Sequence, residues 1–259
     1  MMILIKLGGS VITDKSKYRV FNRRRVSELC KEIKESGKDA IIVHGAGSFG
    51  HVVAKQFRLQ DGYVNDGQIS AVVKVSHDMR DLNNMVMDEL IDAGLNVVSV
   101  PTGSCFEIDG GEMIGNVDVL KGYVDLGIMP VMFGDVVLDR RRKFGICSGD
   151  RIMEFLASAF SPEMIVFVSD VDGLYDRDPK TDKNAILIEA VSDDSLRTAA
   201  TNMTVADVTG GVRAKMESML RMSSPDRDCV LVNGTVKGRL RSLLSGEDVI
   251  CTRVKGGIR

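Results

Sequence analysis

The chain has no long hydrophobic run, no excess of charge of either sign, no paired-cysteine motif, and no proline-rich or low-complexity linker. Each absence excludes a class of protein. The longest apolar runs are strand-length, well short of the roughly 20 residues of a helical membrane span, and the chain opens on an apolar run carrying Lys6, with no signal-peptide pattern. A cytoplasmic protein without a membrane partner is expected. The 34 basic and 36 acidic residues leave a net charge of −2, which gives no footprint for nucleic acid or an acidic membrane surface. The five cysteines (Cys30, Cys105, Cys147, Cys229 and Cys251) are scattered, odd in number and free of any C-x-x-C pair, as suits a reducing compartment better than a disulfide scaffold or zinc site. The P-loop pattern G-x-x-x-x-G-K-[ST] is missing too, so any ATP site must be of another design.

What is present is an α/β alternation. The 259 residues, 44% of them hydrophobic, suffice for one large domain or two closely joined lobes. Apolar, β-branched runs at 2–7, 39–44, 95–100, 129–133, 163–169, 228–232 and 248–254 read as strands. Stretches with three- and four-residue apolar spacing at 22–36, 68–93, 149–160 and 210–223 read as helices. Continuous apolar strands with helices between them predict a three-layer αβα sandwich around an open, mostly parallel central sheet. Residues 134–147 depart from this pattern, and their two alternating runs around a basic turn predict a β-hairpin excursion.

Two glycine-rich loops carry the functional signal: Lys6-Leu7-Gly8-Gly9-Ser10 and His44-Gly45-Ala46-Gly47-Ser48-Phe49-Gly50-His51. Each follows a strand-like run, so its backbone N–H groups gather where a helix begins, a seat for phosphate oxygens. Two such loops imply two phosphates or two phosphorylated ligands. Lys6, Lys15 and Lys215 are cations able to neutralise a phosphoryl group in transit, a reaction that asks little covalent chemistry of the protein. A small-molecule phosphotransferase is the leading reading. Each lysine also has an ordinary explanation: Lys6 in a strand facing solvent, Lys15 in a solvated polar loop, Lys215 on the outside of a helix opened by Asp207-Val208-Thr209-Gly210-Gly211.

The main rival is a nicotinamide dinucleotide oxidoreductase, because Gly45 to Gly50 is formally G-x-G-x-x-G after a strand. Three features oppose it. That fingerprint usually sits on the first strand, which here has its own Gly8-Gly9; His51 directly follows the last glycine; and Asp61 and Asp66 follow no second βα unit.

Lys6-x-Gly8-Gly9-Ser10, His44-Gly45-Ala46-Gly47, Ser148-Gly149-Asp150, Ser169-Asp170-Val171-Asp172-Gly173-Leu174-Tyr175 with Asp178-Pro179, and Thr209-Gly210-Gly211 with Lys215 occur in the order and spacing of the amino-acid kinase superfamily. The resemblance covers essentially the whole chain. Within the superfamily, Gly45 to His51 and Ser148-Gly149-Asp150 most resemble the isopentenyl phosphate kinases of archaeal type. Kinases of the phosphonate antibiotic fosfomycin share the histidine-bearing pattern and are the nearest alternative. A catalytically dead sensor of phosphorylated ligands would lack a lysine or glycine of the set, and none is missing.

The resemblance implies roles. The chain would be a single amino-acid kinase domain over 1–259, with acceptor binding in about 1–160 and nucleotide binding in about 161–259, and no appended regulatory domain. Lys6, Gly8, Gly9 and Ser10 would hold the ATP phosphates, with Gly47 alongside, and Gly211 and Lys215 would approach from the other side. Asp150 would accept from Lys6 and Lys215; Asp170 and Gly173 would form the nucleotide side of the cleft; Lys15 would reach the γ-phosphoryl group. Gly45, Ala46, Gly47, Gly50, His51 and Gly149 would receive the acceptor phosphate, with His51 a hydrogen-bond donor rather than a base. Val72, Val75, Met79 and Ile146 would wall an apolar slot for an isopentenyl chain. ATP with Mg²⁺ is implied, the metal held by phosphates and water with no protein ligand, and a homodimer is the assembly common in the superfamily.

Overall fold

The computed structural model describes residues 2–14, 16–191 and 210–255, with the backbone alone for 210–214. Its strands in chain order are β1 (Met2–Leu7), β2 (Asp39–His44), β3 (Val97–Ser99), β4 (Phe106–Asp109), β5 (Glu112–Gly115), β6 (Met129–Phe133) and β7 (Asp135–Asp139). They continue with β8 (Lys143–Cys147), β9 (Met164–Ser169), β10 (Leu174–Tyr175), β11 (Leu187–Ile188), β12 (Ala190–Val191), β13 (Asp228–Asn233) and β14 (Cys251–Val254). The helices are α1 (Gly9–Ile12), α2 (Arg23–Ser36), α3 (Gly47–Gln56), α4 (Gly67–Asp92) and α5 (Thr102–Cys105). After them come α6 (Asp118–Asp125), α7 (Gly149–Phe160), α8 (Gly210–Met222) and α9 (Arg239–Leu244).

Eight strands form one sheet in the order β12-β14-β13-β9-β1-β2-β6-β3, parallel except where β13 meets β14. β1 is central because it is apolar on both pleat faces: Ile5 pairs with Ile42 on one side and Val166 on the other. Alternate residues then feed two cores. Ile3, Ile5 and Leu7 pack with α2, α4 and α9 through side chains such as Leu29, Leu82 and Leu243. Leu4, Ile41 and Phe167 pack on the other face with α7 and α8 through Ile152, Leu156 and Met219. The expected three-layer sandwich follows from this division.

The hairpin at 134–147 forms as β7 and β8, but inside a second sheet of order β5-β4-β7-β8 whose first two strands the apolar-run reading leaves unassigned. Their signal is short: four residues each around Gly110-Gly111, both at positive φ, where glycine lets two strands turn back tightly. The strands expected at 95–100 and 248–254 are shorter, Val97–Ser99 and Cys251–Val254. The parallel topology places the ends of β1, β2 and β9 together at one edge, and both glycine loops leave from there.

Candidate active site

The two glycine loops are joined to each other. Gly8 N donates to Val168 O on β9 at 2.9 Å, and Gly45 N donates to Leu7 O on β1 at 2.9 Å, so each loop is tied to the strand beside its own. The backbones then meet: a Cβ on Gly9 would lie 2.5 Å from Gly47 N, and one on Gly45 would lie 2.7 Å from Gly9 N. Gly47 has φ +49°, a conformation only glycine adopts readily. Thr13 completes the join, its Oγ1 donating to Gly9 O at 2.7 Å and accepting from Ser48 N at 3.0 Å. The first hydrogen bond of α1 runs from Val11 N to Gly8 O, so the N–H groups of Gly9 and Ser10 precede it at the helix start. Ser48 Oγ is buried without a hydrogen-bond partner, alone in this among the described residues.

Beside the loops, Lys6 from β1 and Lys215 from α8 converge on one oxygen. Asp150 Oδ1 accepts from Lys6 Nζ at 2.7 Å and from Lys215 Nζ at 2.5 Å. Asp150 is there because Ser148 caps α7, its side chain accepting from Arg151 N, which starts the helix beside β1. Gly149 makes the passage: a Cβ on it would lie 3.0 Å from Lys6 Cε. The Phe167 ring lies beneath both ammonium groups, 3.6 Å from Lys215 Nζ and 5.7 Å from Lys6 Nζ.

The charges are strongly coupled. Burial opposes ionisation of Asp150, but the two ammonium groups outweigh it and hold the carboxyl at about 2. Burial, then repulsion from Lys6, pulls Lys215 down to about 8 against the attraction of Asp150. Asp150 is therefore a carboxylate at neutral pH, already hydrogen-bonded to two cations. It is a holder of lysines, not a proton acceptor. His44 is fully enclosed, with Nδ1 3.1 Å from Gly45 O, Nε2 3.4 Å from Asn83 Oδ1 and its ring stacked on Phe133. Burial takes it down to about 4, so it is neutral, a part of the framework under the second loop.

On the other flank, Asp170 at the end of β9 accepts from Lys180 and Ser10; burial raises its carboxyl, and these partners more than reverse that. Gly173 is buried against β14, where a Cβ would come within 2.9 Å of Thr252 N, and Leu174 N donates to Thr252 Oγ1 at 2.7 Å. That contact gives Gly173 a packing reason. Gly211 lies in the backbone of α8, while Lys15 and Thr209 fall outside the described residues.

Beyond the second loop, His51 is exposed in the first turns of α3, directly after Gly50. Val72, Val75, Met79 and Ile146 are brought into one apolar cluster with Val136 and Phe144. Met79 underlies the second loop: a Cβ on Gly50 would be 3.1 Å from its Sδ and 2.7 Å from the Ala46 Cβ. Val75 and Met79 are buried and Val72 and Ile146 half-buried. Residue patterns alone leave Phe167, Thr13 and Lys180 without a role, since a strand phenylalanine, a loop threonine and a surface lysine carry no distinguishing spacing.

Two glycine loops in backbone contact, with two ammonium groups held on one carboxylate at the end of the same sheet, form an arrangement able to seat two anions and stabilise charge passing between them. The sequence profile of the amino acid kinase family matches residues 1–233. The chain is 38% identical to the isopentenyl phosphate kinase of Thermoplasma acidophilum over 92% of its own length and 94% of that protein's. It is 32% identical to the isopentenyl phosphate kinase of Methanothermobacter thermautotrophicus over 98% and 99% of the two chains. A crystal structure of the isopentenyl phosphate kinase substrate complex superposes with a TM-score of 0.82 at 34% identity, covering 98% of this chain and 100% of that one. A UMP kinase from Ureaplasma parvum, 15% identical with a TM-score of 0.65, shares the fold.

Proposed function

The chain belongs to the amino acid kinase family, and we propose that it transfers the γ-phosphoryl group of ATP to isopentenyl phosphate, giving isopentenyl diphosphate and ADP. The observation that carries this reading is the sharing of Asp150 Oδ1 by Lys6 and Lys215 beside two glycine loops in backbone contact. An acceptor phosphate oxygen forms the new bond to the γ-phosphorus as the bridging bond to ADP breaks. That oxygen is an anion already, so no base is needed, and the pKa values of Asp150 and His44 agree with neither being one. What the reaction needs is positioning and neutralisation of charge.

In this reading Gly8, Gly9, Ser10, Lys215 and Gly211 hold the ATP phosphates, with Asp170 and Gly173 on the nucleotide side. Gly45, Ala46, Gly47, Gly50, Gly149 and His51 receive the acceptor phosphate. Lys6 lies between the two, and Lys15 meets the transferring group. About 1–160 carries the acceptor and about 161–259 the nucleotide, with Gly8, Gly9 and Ser10 of the first part reaching the ATP phosphates. Mg²⁺ enters with ATP: Asp150 Oδ1 is engaged by two ammonium groups and Asp170 Oδ2 by Lys180, so phosphate oxygens and water are its natural ligands. A homodimer is the proposed assembly.

The test is ADP release by the purified protein with ATP and Mg²⁺ and, separately, isopentenyl phosphate, dimethylallyl phosphate, fosfomycin, uridylate and acetylglutamate. Turnover with isopentenyl phosphate supports the reading. Turnover confined to fosfomycin, uridylate or acetylglutamate overturns it.

A further inference from the structure

Outside the lysine-aspartate centre, a charge cluster around a fully enclosed carboxylate lies on the face of α4 toward the segment that follows α1. Asp78 is 0% exposed, yet both its oxygens are engaged. Lys74 Nζ donates to them at 2.7 and 2.9 Å, Tyr18 Oη donates to Oδ2, and Arg19 Nη1 lies 3.1 Å from Oδ1. The other arm of Arg19 pairs with Asp81, and its guanidinium stands 5.5 Å from the ring centre of Phe49, inside the second glycine loop. Lys74 Nζ in turn lies over the Tyr18 ring at 5.4 Å. Arg19 sits at φ +57°, an unfavourable conformation for a residue with a side chain, which the surrounding contacts must hold in place.

The same segment is fastened at its root. Thr13 bridges both glycine loops, Asp14 N donates to Val20 O at 2.9 Å, and Asp14 Oδ1 accepts from Ser16 N at 2.9 Å. Next to Asp78 on α4, Met79 packs against the second loop at Gly50. Helix α4 therefore holds the second loop from two sides: directly through Met79, and from above through Asp78, Tyr18 and Arg19. His77, Asp78 and Asp81 place ligand atoms within 4.8 Å of one another, but the two carboxylates already face Arg19 and Lys74, so a cation there would meet two positive groups.

We propose that Asp78 is a positioning residue that pins residues 16–21 against the second glycine loop and through them sets the affinity and alignment of the acceptor more than the affinity for ATP. The inference rests on the phosphoryl transfer proposed above. Its test therefore has one arm that needs no substrate. Amide hydrogen exchange followed by mass spectrometry should show residues 16–21 exchanging faster in Asp78→Asn than in the wild type. Steady-state kinetics should show kcat/KM for isopentenyl phosphate falling about tenfold, the usual scale for a lost charge-assisted hydrogen bond, while the Kd for ATP by calorimetry stays within about twofold. Tyr18→Phe removes a single hydroxyl from a half-exposed ring and should give a smaller loss in the same direction; it carries the test if Asp78→Asn does not fold. Unchanged exchange at 16–21 overturns the proposal, as does faster exchange with unaltered acceptor kinetics, or a parallel loss of ATP and acceptor binding. If the wild type does not turn over isopentenyl phosphate, the functional reading fails, and the exchange arm alone decides whether Asp78 holds the segment.

Discussion

Gly9 and Gly47 meet backbone to backbone, with the position of a Cβ on Gly9 falling 2.5 Å from Gly47 N and 2.7 Å from its Cα. No flexible side chain stands at that contact to give way. The distance between the two glycine loops is thus fixed by the absence of two side chains, and in the proposed reaction in-line transfer depends on that distance.

Gly9→Ala should accordingly push the loops apart. Overpacking of this kind costs about 1–3 kcal/mol, and the melting temperature should fall by several degrees while kcat drops more than tenfold. Gly122→Ala is the control: Gly122 lies in α6 with nothing within 4 Å of its Cβ position, and alanine is favoured over glycine in a helix by about 1 kcal/mol. It should melt no lower than the wild type and keep its activity. Equal behaviour of the two variants in melting and turnover would remove the contact from the mechanism.

Lys215, at about 8, loses its charge within an accessible range. ATP affinity measured by calorimetry should weaken as pH rises past about 8, the cation being present below that value and absent above it. Lys215→Arg keeps its charge throughout and should flatten this alkaline limb. Asp150→Asn removes the attraction that supports the ammonium, so the limb should move to lower pH and kcat should fall by about 10²-fold. For stability the sign is opposite to that of an ordinary ion pair. Between about 8 and the usual lysine value of 10.5 the unfolded chain binds more protons than the native one, so Lys215 destabilises the native state less as pH rises through that window. The melting-temperature gap between Lys215→Met and wild type should narrow from pH 8 to 10.

His51 stands exposed beside Gly50 at the start of α3. As a donor to the acceptor phosphate, it should affect the acceptor alone. His51→Ala should raise KM for isopentenyl phosphate with nucleotide binding intact, and His51→Gln, which keeps a donor, should lose less. Calorimetry in which the alanine variant binds isopentenyl phosphate as tightly as wild type would take His51 out of the site.

Much of this architecture is legible in sequence because the parallel strands are buried on both faces and read as unbroken apolar runs such as Ile3-Leu4-Ile5 and Ile41-Ile42-Val43. The glycines were legible for the same kind of reason: a close backbone approach leaves a residue type as its trace. The second sheet was not, since β4 and β5 are four residues each, too short to stand out as apolar runs. Nor was the Asp78 cluster. Tyr18 and Asp78 are 60 positions apart, and nothing in a helix pattern marks one aspartate among many as fully enclosed. The convergence of Lys6 and Lys215 on Asp150 came from family resemblance, because a bond spanning 144 positions has no local signature.

Val72, Val75, Met79 and Ile146 share one apolar cluster, and in the proposed function that cluster sets the specificity for chain length. Met79 touches the underside of the second loop at Gly50, so the cluster begins where the acceptor phosphate would sit and extends along α4. If its faces close a slot for a five-carbon chain, a ten-carbon homologue must displace packed side chains, at about 1–3 kcal/mol for overpacking, enough to exclude it. Val72→Ala, at a half-buried position, should raise kcat/KM for geranyl phosphate relative to isopentenyl phosphate with little loss of stability. Val75→Ala and Ile146→Ala should move the ratio the same way. Met79→Ala should do so while also melting lower, since emptying a fully buried methionine site costs about 2–5 kcal/mol. Were the four residues only core, each truncation would lower the melting temperature in proportion to its burial and leave the geranyl-to-isopentenyl ratio at the wild-type value, so the ratio in the folded variants separates a pocket wall from ordinary packing.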